Sequence, residues 1–281
     1  MPSSYVVCVG YATVDTILAV PRHPAPDDRV VASELVFAGG GPAATAAVTL
    51  ARLGVPAYFV GAIGDDEAGV QIQERLEREG VDVSELRLQP GARSARSTIL
   101  VEGANRTIVS FPGTVQVELS ARARELCRDA EWVHVDHAGY VATRGLEGVR
   151  LSIDAGNPIP ELDLRGVALY APTERALADD AQTAIDAGAE LVVVTRGSKG
   201  SYALSKDGEH VSAPGFPIDV VSTLGAGDVF HGALLAQLVR DVPLPDALAR
   251  SNACAALSCR ALDGRSAIPT TEELDRAWAT A

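Results

Sequence analysis

The chain has 281 residues, 47% hydrophobic and 22% charged, a globular composition with enough length for one large domain. Its 24 Lys and Arg are outnumbered by 37 Asp and Glu. The formal net charge is therefore −13, which argues against nucleic-acid binding because an acidic surface repels phosphate backbones. The 26 Gly and 16 Pro are dispersed, which excludes collagen-like and low-complexity classes.

The N-terminal stretch Met1 to Cys8 has neither a basic region nor a cleavage site, so it does not read as a signal peptide. No apolar run approaches the roughly 20 residues that span a bilayer. Cys8, Cys127, Cys254 and Cys259 form no CxxC pair and read as reduced core thiols, as expected of a cytoplasmic protein with no membrane partner.

Tyr5 to Gly10 is a β-branched run that predicts a buried strand. Val30 to Phe37 and Ser97 to Val101 alternate as half-exposed strands do. Arg106 to Phe111 follows the second across Glu102-Gly103-Ala104-Asn105, a hairpin signal. Pro42 to Leu53 predicts an Ala-rich helix that Gly54 ends. Ala57 to Ile63 predicts another buried strand, followed by helices at Gln71 to Glu79 and Ser120 to Asp129.

Farther on, strands are predicted at Trp132 to Asp136, Val149 to Ile153, Val167 to Tyr170, Leu191 to Val194, Val211 to Pro214 and Ile218 to Val221. Helices are predicted at Asp179 to Ala187, Val229 to Val239 and Ala247 to Cys259. This alternation predicts an α/β fold with a doubly wound, mainly parallel sheet flanked by helices. The alternating hairpin segments do not fit that layer and predict a small separate β-sheet. No repeat or long linker divides the chain, which reads as a single domain over 1–281.

Leu224-Gly225-Ala226-Gly227-Asp228 opens an apolar helix. Glycines at a helix start let backbone N–H groups converge on an anion. Asp228 has two readings there. One is charge complementarity to the helix dipole. The other is a carboxylate base that takes a proton from a hydroxyl as it attacks a phosphoryl group.

Ala38-Gly39-Gly40-Gly41-Pro42 precedes a second helix and reads as a turn with Pro at the first helical position. It follows an alternating strand that is not the first, which argues against a dinucleotide fingerprint. Thr195-Arg196-Gly197-Ser198-Lys199-Gly200 leaves a buried strand, where open sheets bind ligands; a plain turn is the equal alternative. There is no Walker A pattern and no G-x-S-x-G element, so serine hydrolase chemistry has no support. His134 and Asp136 share a strand face, but a metal role needs a third ligand that the sequence does not assign.

Taken in order, these motifs resemble the ribokinase/PfkB family of sugar kinases over essentially the whole chain. Gly39-Gly40-Gly41 with its Ala-rich helix resembles the first signature, and Gly61 to Gly69 resembles G-x-x-G-x-D-x-x-G. Val194 to Gly200 resembles the nucleotide loop, and Ser222 to Asp228 the second signature, D-T-x-G-A-G-D. The resemblance implies a small β lid over the sugar, with strands at about 15–38 and 92–113. It also implies transfer of the ATP γ-phosphate to a sugar hydroxyl with Mg2+, and a homodimer paired through the lid.

By motif position it implies Asp228 as base and Gly225, Ala226 and Gly227 as anion hole. Asp15, Gly40, Gly41 and Arg29 fall at the sugar, and Thr195, Gly197, Gly200, Thr223 and Asn252 at the nucleotide. Glu174 would act on magnesium indirectly.

Three departures stand out. Ser222 replaces the usual Asp, which puts monovalent-cation activation in question. Ala44 replaces an Asn that contacts sugar, and Ala171 replaces the Asn of N-x-x-E. The first signature, Asp228 to Ala233 and Gly264 to Pro269 look most like the sulfofructose-kinase branch, yet Asp136 to Tyr140 offers no basic pair for a sulfonate. The expected function is an ATP-dependent sugar kinase. The alternatives are a nucleoside kinase of the same fold, which the lack of an aromatic cluster near Asp15 argues against, or a catalytically weak sugar-binding relative.

Overall fold

The computed structural model describes residues 4–103, 105–177 and 179–279. Two expectations fall partly outside them: the leader reading at Met1 to Ser3 and the hairpin position Ala104. Strand β1 (Val6–Val9) is followed by β2 (Thr13–Ala19), β3 (Glu34–Gly40), α1 (Pro42–Arg52), β4 (Ala57–Gly64) and α2 (Glu67–Arg78). Next come β5 (Asp82–Gln89), β6 (Arg96–Glu102), β7 (Asn105–Phe111), α3 (Ala121–Asp129), β8 (Trp132–Val135) and α4 (His137–Thr143). Then follow β9 (Leu151–Asp154), β10 (Leu169–Ala171), α5 (Ala181–Asp186), β11 (Leu191–Thr195), β12 (Ser201–Ser205) and β13 (His210–Ala213). The last elements are α6 (Ala226–Leu238), α7 (Leu244–Ser258) and α8 (Thr271–Ala279).

Nine strands form one sheet in the order β13-β12-β11-β10-β9-β8-β1-β4-β5. It is parallel except where β12 joins β11 and β13 antiparallel. Strand order reverses at β1, which lies between β8 and β4, so a crevice opens at the carboxyl ends there. One face carries α1, α6 and α7 over Cys8, Phe59, Trp132, Leu50 and Leu234. The other carries α3 and α5 over Val7, Val135, Ile153 and Val194.

The small sheet has the order β3-β2-β6-β7. Register places Asp15, Ala38, Ser97 and Ser110 on one face and Thr16, Phe37, Thr98 and Val109 on the other. Ile17, Ile99 and Val101 are buried on the first face against Leu262. On the second face Leu35, Phe37, Val109 and Phe111 are exposed.

Helix starts follow from side-chain caps. Asp66 accepts from the Gly69 N–H at 2.9 Å, which starts α2 four residues before the periodicity predicts. Ser120 caps α3 in the same way. The Cys8, Cys127, Cys254 and Cys259 thiols are all free and buried. One predicted strand is absent: Ile218 to Val221 is irregular, because Pro214 and Pro217 remove ladder donors and the Val221 N–H bonds instead to the Cys259 carbonyl. The strand predicted from Val30 begins only at Glu34. Strands β5 and β12 and helices α4 and α8 had no separate prediction. No helix among the described residues is long and apolar enough to cross a membrane.

Candidate active site

Helix α6 begins at Gly225, whose φ of 71° is left-handed and whose missing side chain leaves the first-turn N–H groups uncapped. The loop before it is tied by Ser222, whose hydroxyl accepts from the Leu224 N–H at 3.2 Å. Ser222 thus keeps a turn-forming hydrogen bond without a charge. A Cβ at Gly227 would meet open space, so this N–H face is accessible.

A cavity of about 530 Å³ lies against that turn. Thr195, Gly197, Gly200, Thr223, Ala226, Gly227 and Asn252 all line it, as the motif reading implies. Phe216, Pro217, Ile218 and Phe230 give it an apolar wall suited to a flat heterocycle. The Asn252 amide is committed to the wall itself, donating to the Ala213 and Pro214 carbonyls at 3.3 and 3.0 Å. Thr223 accepts from Arg106 Nη1 at 2.7 Å, which ties strand β7 to the signature loop. Glu174 is exposed: its neighbour Thr173 lines the cavity, while its own carboxylate acts electrostatically on Tyr202.

Asp15 projects from β2 and is 7% exposed. Thr13 Oγ1 donates to it at 2.7 Å. A Cβ at Gly40 would run into the Asp15 carboxylate, so the close approach of β3 to β2 requires glycine there. Gly41, with φ 94°, turns the chain into α1. Arg29 is exposed on the loop joining β2 to β3.

Arg265 is a buried charged residue beside Gly40 that the motif reading did not assign to the site. It is 6% exposed, donates through Nη2 to the Gly40 carbonyl at 2.6 Å and through Nε to Thr45 at 3.1 Å. Burial lowers its pKa to about 10, opposed by Asp15, Glu79 and Asp228. It stands electrostatically between the two acidic residues. The signal in the sequence was a lone Arg among small residues at Gly264 to Ala267.

Burial, with repulsion from Asp154, pushes the Asp228 carboxyl up to about 8; His231 and Arg265 pull the other way. Burial also raises Asp15, against hydrogen bonding from Thr13 and attraction to Arg265. His134 and Asp136 do not act together. Asp136 caps α4, accepting from Ala138 and Gly139 N–H, and holds the Tyr11 N–H at 2.8 Å. His134 points instead toward α6, where its ring lies 5.7 Å from that of His231.

The pattern of the pfkB family carbohydrate kinases matches residues 3–151 and 159–271. The chain belongs to that family. It is similar to the ATP-dependent ribose-1-phosphate kinase of Halopiger xanaduensis, with 32% identity over 95% of each chain. The aminoimidazole riboside kinase of Salmonella typhimurium is 30% identical over 84% of this chain and 86% of that one. Among solved structures, a putative ribokinase from Agrobacterium tumefaciens superposes with a TM-score of 0.86 at 27% identity, covering 99% of both chains. The chain is an ATP-dependent kinase of the carbohydrate kinase family.

Asp228 can accept a proton only as the carboxylate, and its raised pKa means that this form dominates above about 8. kcat/KM for the acceptor is therefore expected to rise with pH and level off above that value. A profile flat from about pH 6 to 9 contradicts this assignment.

Proposed function

We propose that the protein transfers the ATP γ-phosphate to a hydroxyl of a small sugar, a ketose, pentose or acidic sugar, with Asp228 as the base. The observation that carries this reading is the position of Asp228. It sits in the first, uncapped turn of α6, with the nucleotide-sized cavity against that turn, and it shares the charge of the buried Arg265 with Asp15. Asp15 accepts hydrogen bonds from sugar hydroxyls, and Gly40 and Gly41 let the sugar approach the backbone. Arg29 closes onto the sugar with the lid.

Asp228 takes the proton of the attacking hydroxyl. The new O–P bond forms as the bond from the γ-phosphorus to the ADP oxygen breaks, and ADP leaves with the electron pair. The N–H groups of Gly225, Ala226 and Gly227 donate to the charge that builds on the phosphoryl oxygens. Magnesium, when bound with ATP, neutralises phosphate charge. Its preference for oxygen suits Asp228 and, at the cavity rim, Glu174, each acting through water. The four buried free thiols support a reducing, cytoplasmic setting.

A second reading, a nucleoside-type acceptor, is favoured by one observation. Tyr11 and His137 form a ring pair with centroids 5.2 Å apart where β1 and β8 end, beside the turn into β2. Such a pair stacks on a base or imidazole. ATP consumption over a panel of ketoses, pentoses, sugar acids, a sulfonated ketose, sugar phosphates and nucleosides separates the readings. Asp228→Asn should lower kcat on the best acceptor by roughly 10²–10⁴-fold with ATP affinity nearly unchanged. No phosphorylation of any sugar or nucleoside by the natural protein contradicts both readings.

We also propose a homodimer joined through the exposed face of the small sheet. Leu35, Phe37, Val109 and Phe111 share that face and are 38–66% exposed. Light scattering should give twice the 29.2 kDa chain mass, and Phe37→Asp should halve it. A natural protein of single-chain mass would refute the pairing.

Ser222 offers a cation no carboxylate, so we propose a weak potassium response. Activity in potassium, sodium and choline salts of equal ionic strength should differ little, and Ser222→Asp should enlarge the difference. Strong potassium activation of the natural protein would show that backbone carbonyls alone build a cation site.

A further inference from the structure

We propose that His134, Asp154 and His231 bind a divalent d-block cation of the zinc type beneath the catalytic helix. The three side chains come from β8, β9 and α6, and each offers one ligand atom within 4.8 Å of the other two. They are 0%, 4% and 5% exposed. The sequence pairs His134 with Asp136, but the fold supplies different partners. His134 and Asp154 face α6 from neighbouring strands, and His231 lies one turn beyond Asp228 on that helix.

The hydrogen bonding is incomplete in a way that a cation completes. His134 Nδ1 is 3.0 Å from Ser152 Oγ, which orients the ring, while His134 Nε2 is buried without a partner. Neither nitrogen of His231 has a hydrogen bond of good geometry, although Nδ1 lies 3.0 Å from Asp154 Oδ2 and the Ala171 backbone also acts on the ring. The other Asp154 oxygen, Oδ1, is held by the Gly156 N–H at 2.7 Å. A His–Asp ion pair alone accounts for Asp154 and His231 but leaves His134 Nε2 orphaned, and burying an unpaired polar group is unfavourable.

For His134 the geometry is that of a metal ligand whose outer partner is in place. A ligating imidazole ordinarily has its other nitrogen held by a hydroxyl, carbonyl or carboxylate, as Ser152 holds His134 here. Bonds of about 2.0–2.2 Å put tetrahedral donors about 3.3–3.6 Å apart. Closing the cluster onto an ion therefore takes only small side-chain shifts.

Two imidazoles and one carboxylate suit zinc and its neighbours; magnesium, which prefers oxygen, is disfavoured. The site is thus separate from any cation that accompanies ATP. The inference rests on the cluster alone and does not depend on which acceptor the enzyme uses.

The test uses the full-length protein expressed with added zinc. Elemental analysis after EDTA treatment should find one zinc per chain. Protein stripped with a stronger chelator and titrated with cobalt(II) should show the visible absorption of tetrahedral cobalt. Either result supports the site, provided that His134→Gln and Asp154→Asn each remove it while circular dichroism shows a native fold. Ser152→Ala should weaken cobalt affinity by roughly 10–100-fold. A folded natural protein that retains no zinc and gives no cobalt absorption overturns the proposal without any variant. So does cobalt absorption that persists unchanged in folded His134→Gln, which would place the metal elsewhere.

Discussion

The site depends on how closely α1 packs against α6. Gly232 faces the Ala46 backbone and the Thr49 side chain with no room for a Cβ. Ala43, Ala44, Ala46 and Ala47 of α1 are buried, and nearly all of α6 from Val229 onward is buried. Small residues allow two helix backbones this near, and a larger side chain costs roughly 1–3 kcal/mol in a tight core. The contact brings both glycine-rich helix starts, Gly39 to Gly41 and Gly225 to Gly227, to one end of the sheet. There the strand order reverses at β1, and a crevice exists before any ligand arrives.

Charge is the second constraint. Asp15, Asp136 and Asp154 are buried and Asp228 is half-buried, in surroundings where unpaired carboxylates are costly. The protein answers with few cations and many N–H groups. Asp136 is satisfied by backbone donors, Asp154 by Gly156 and His231, and Asp15 by Thr13 with Arg265 behind it. Burial works against a charge on His231, but Asp154 outweighs it and raises the imidazole pKa. Asp228 is left with the least compensation, which suits the base role proposed for it.

The order of elements was legible because hydrophobic periodicity and glycine punctuation act locally. Buried runs such as Leu191 to Val194 and the helix after Gly41 stand within a residue or two of where pattern alone puts them. The α2 start was not, because Asp66 and its cap lie outside the apolar period. The run from Ile218 to Val221 misleads for a related reason. Its apolar residues look like a strand, but Ile218 and Val220 serve as cavity wall just after Pro214 and Pro217.

The site divides in the same way. Glycine loops announce themselves, since only glycine serves those turns. Arg265, Asp154 and Arg106 do not, since each acts through a partner more than 50 residues away in the chain, Arg265 with Gly40, Asp154 with His231 and Arg106 with Thr223. His231 was visible as a polar residue on an apolar helix, yet nothing in the chain order says that it meets Asp154. Such pairings belong to topology, and topology appears only when the sheet is assembled.

The most direct test of this account is a crystal structure with a non-hydrolysable ATP analogue and the best acceptor bound together. The account predicts the γ-phosphate on the N–H groups of Gly225 to Gly227, with an acceptor hydroxyl within hydrogen-bond reach of Asp228 and the rest of the acceptor against Asp15 and Gly40. A nucleotide bound outside the cavity lined by Thr195, Gly200 and Asn252, or an acceptor whose nearest carboxylate to phosphorus is not Asp228, would contradict it.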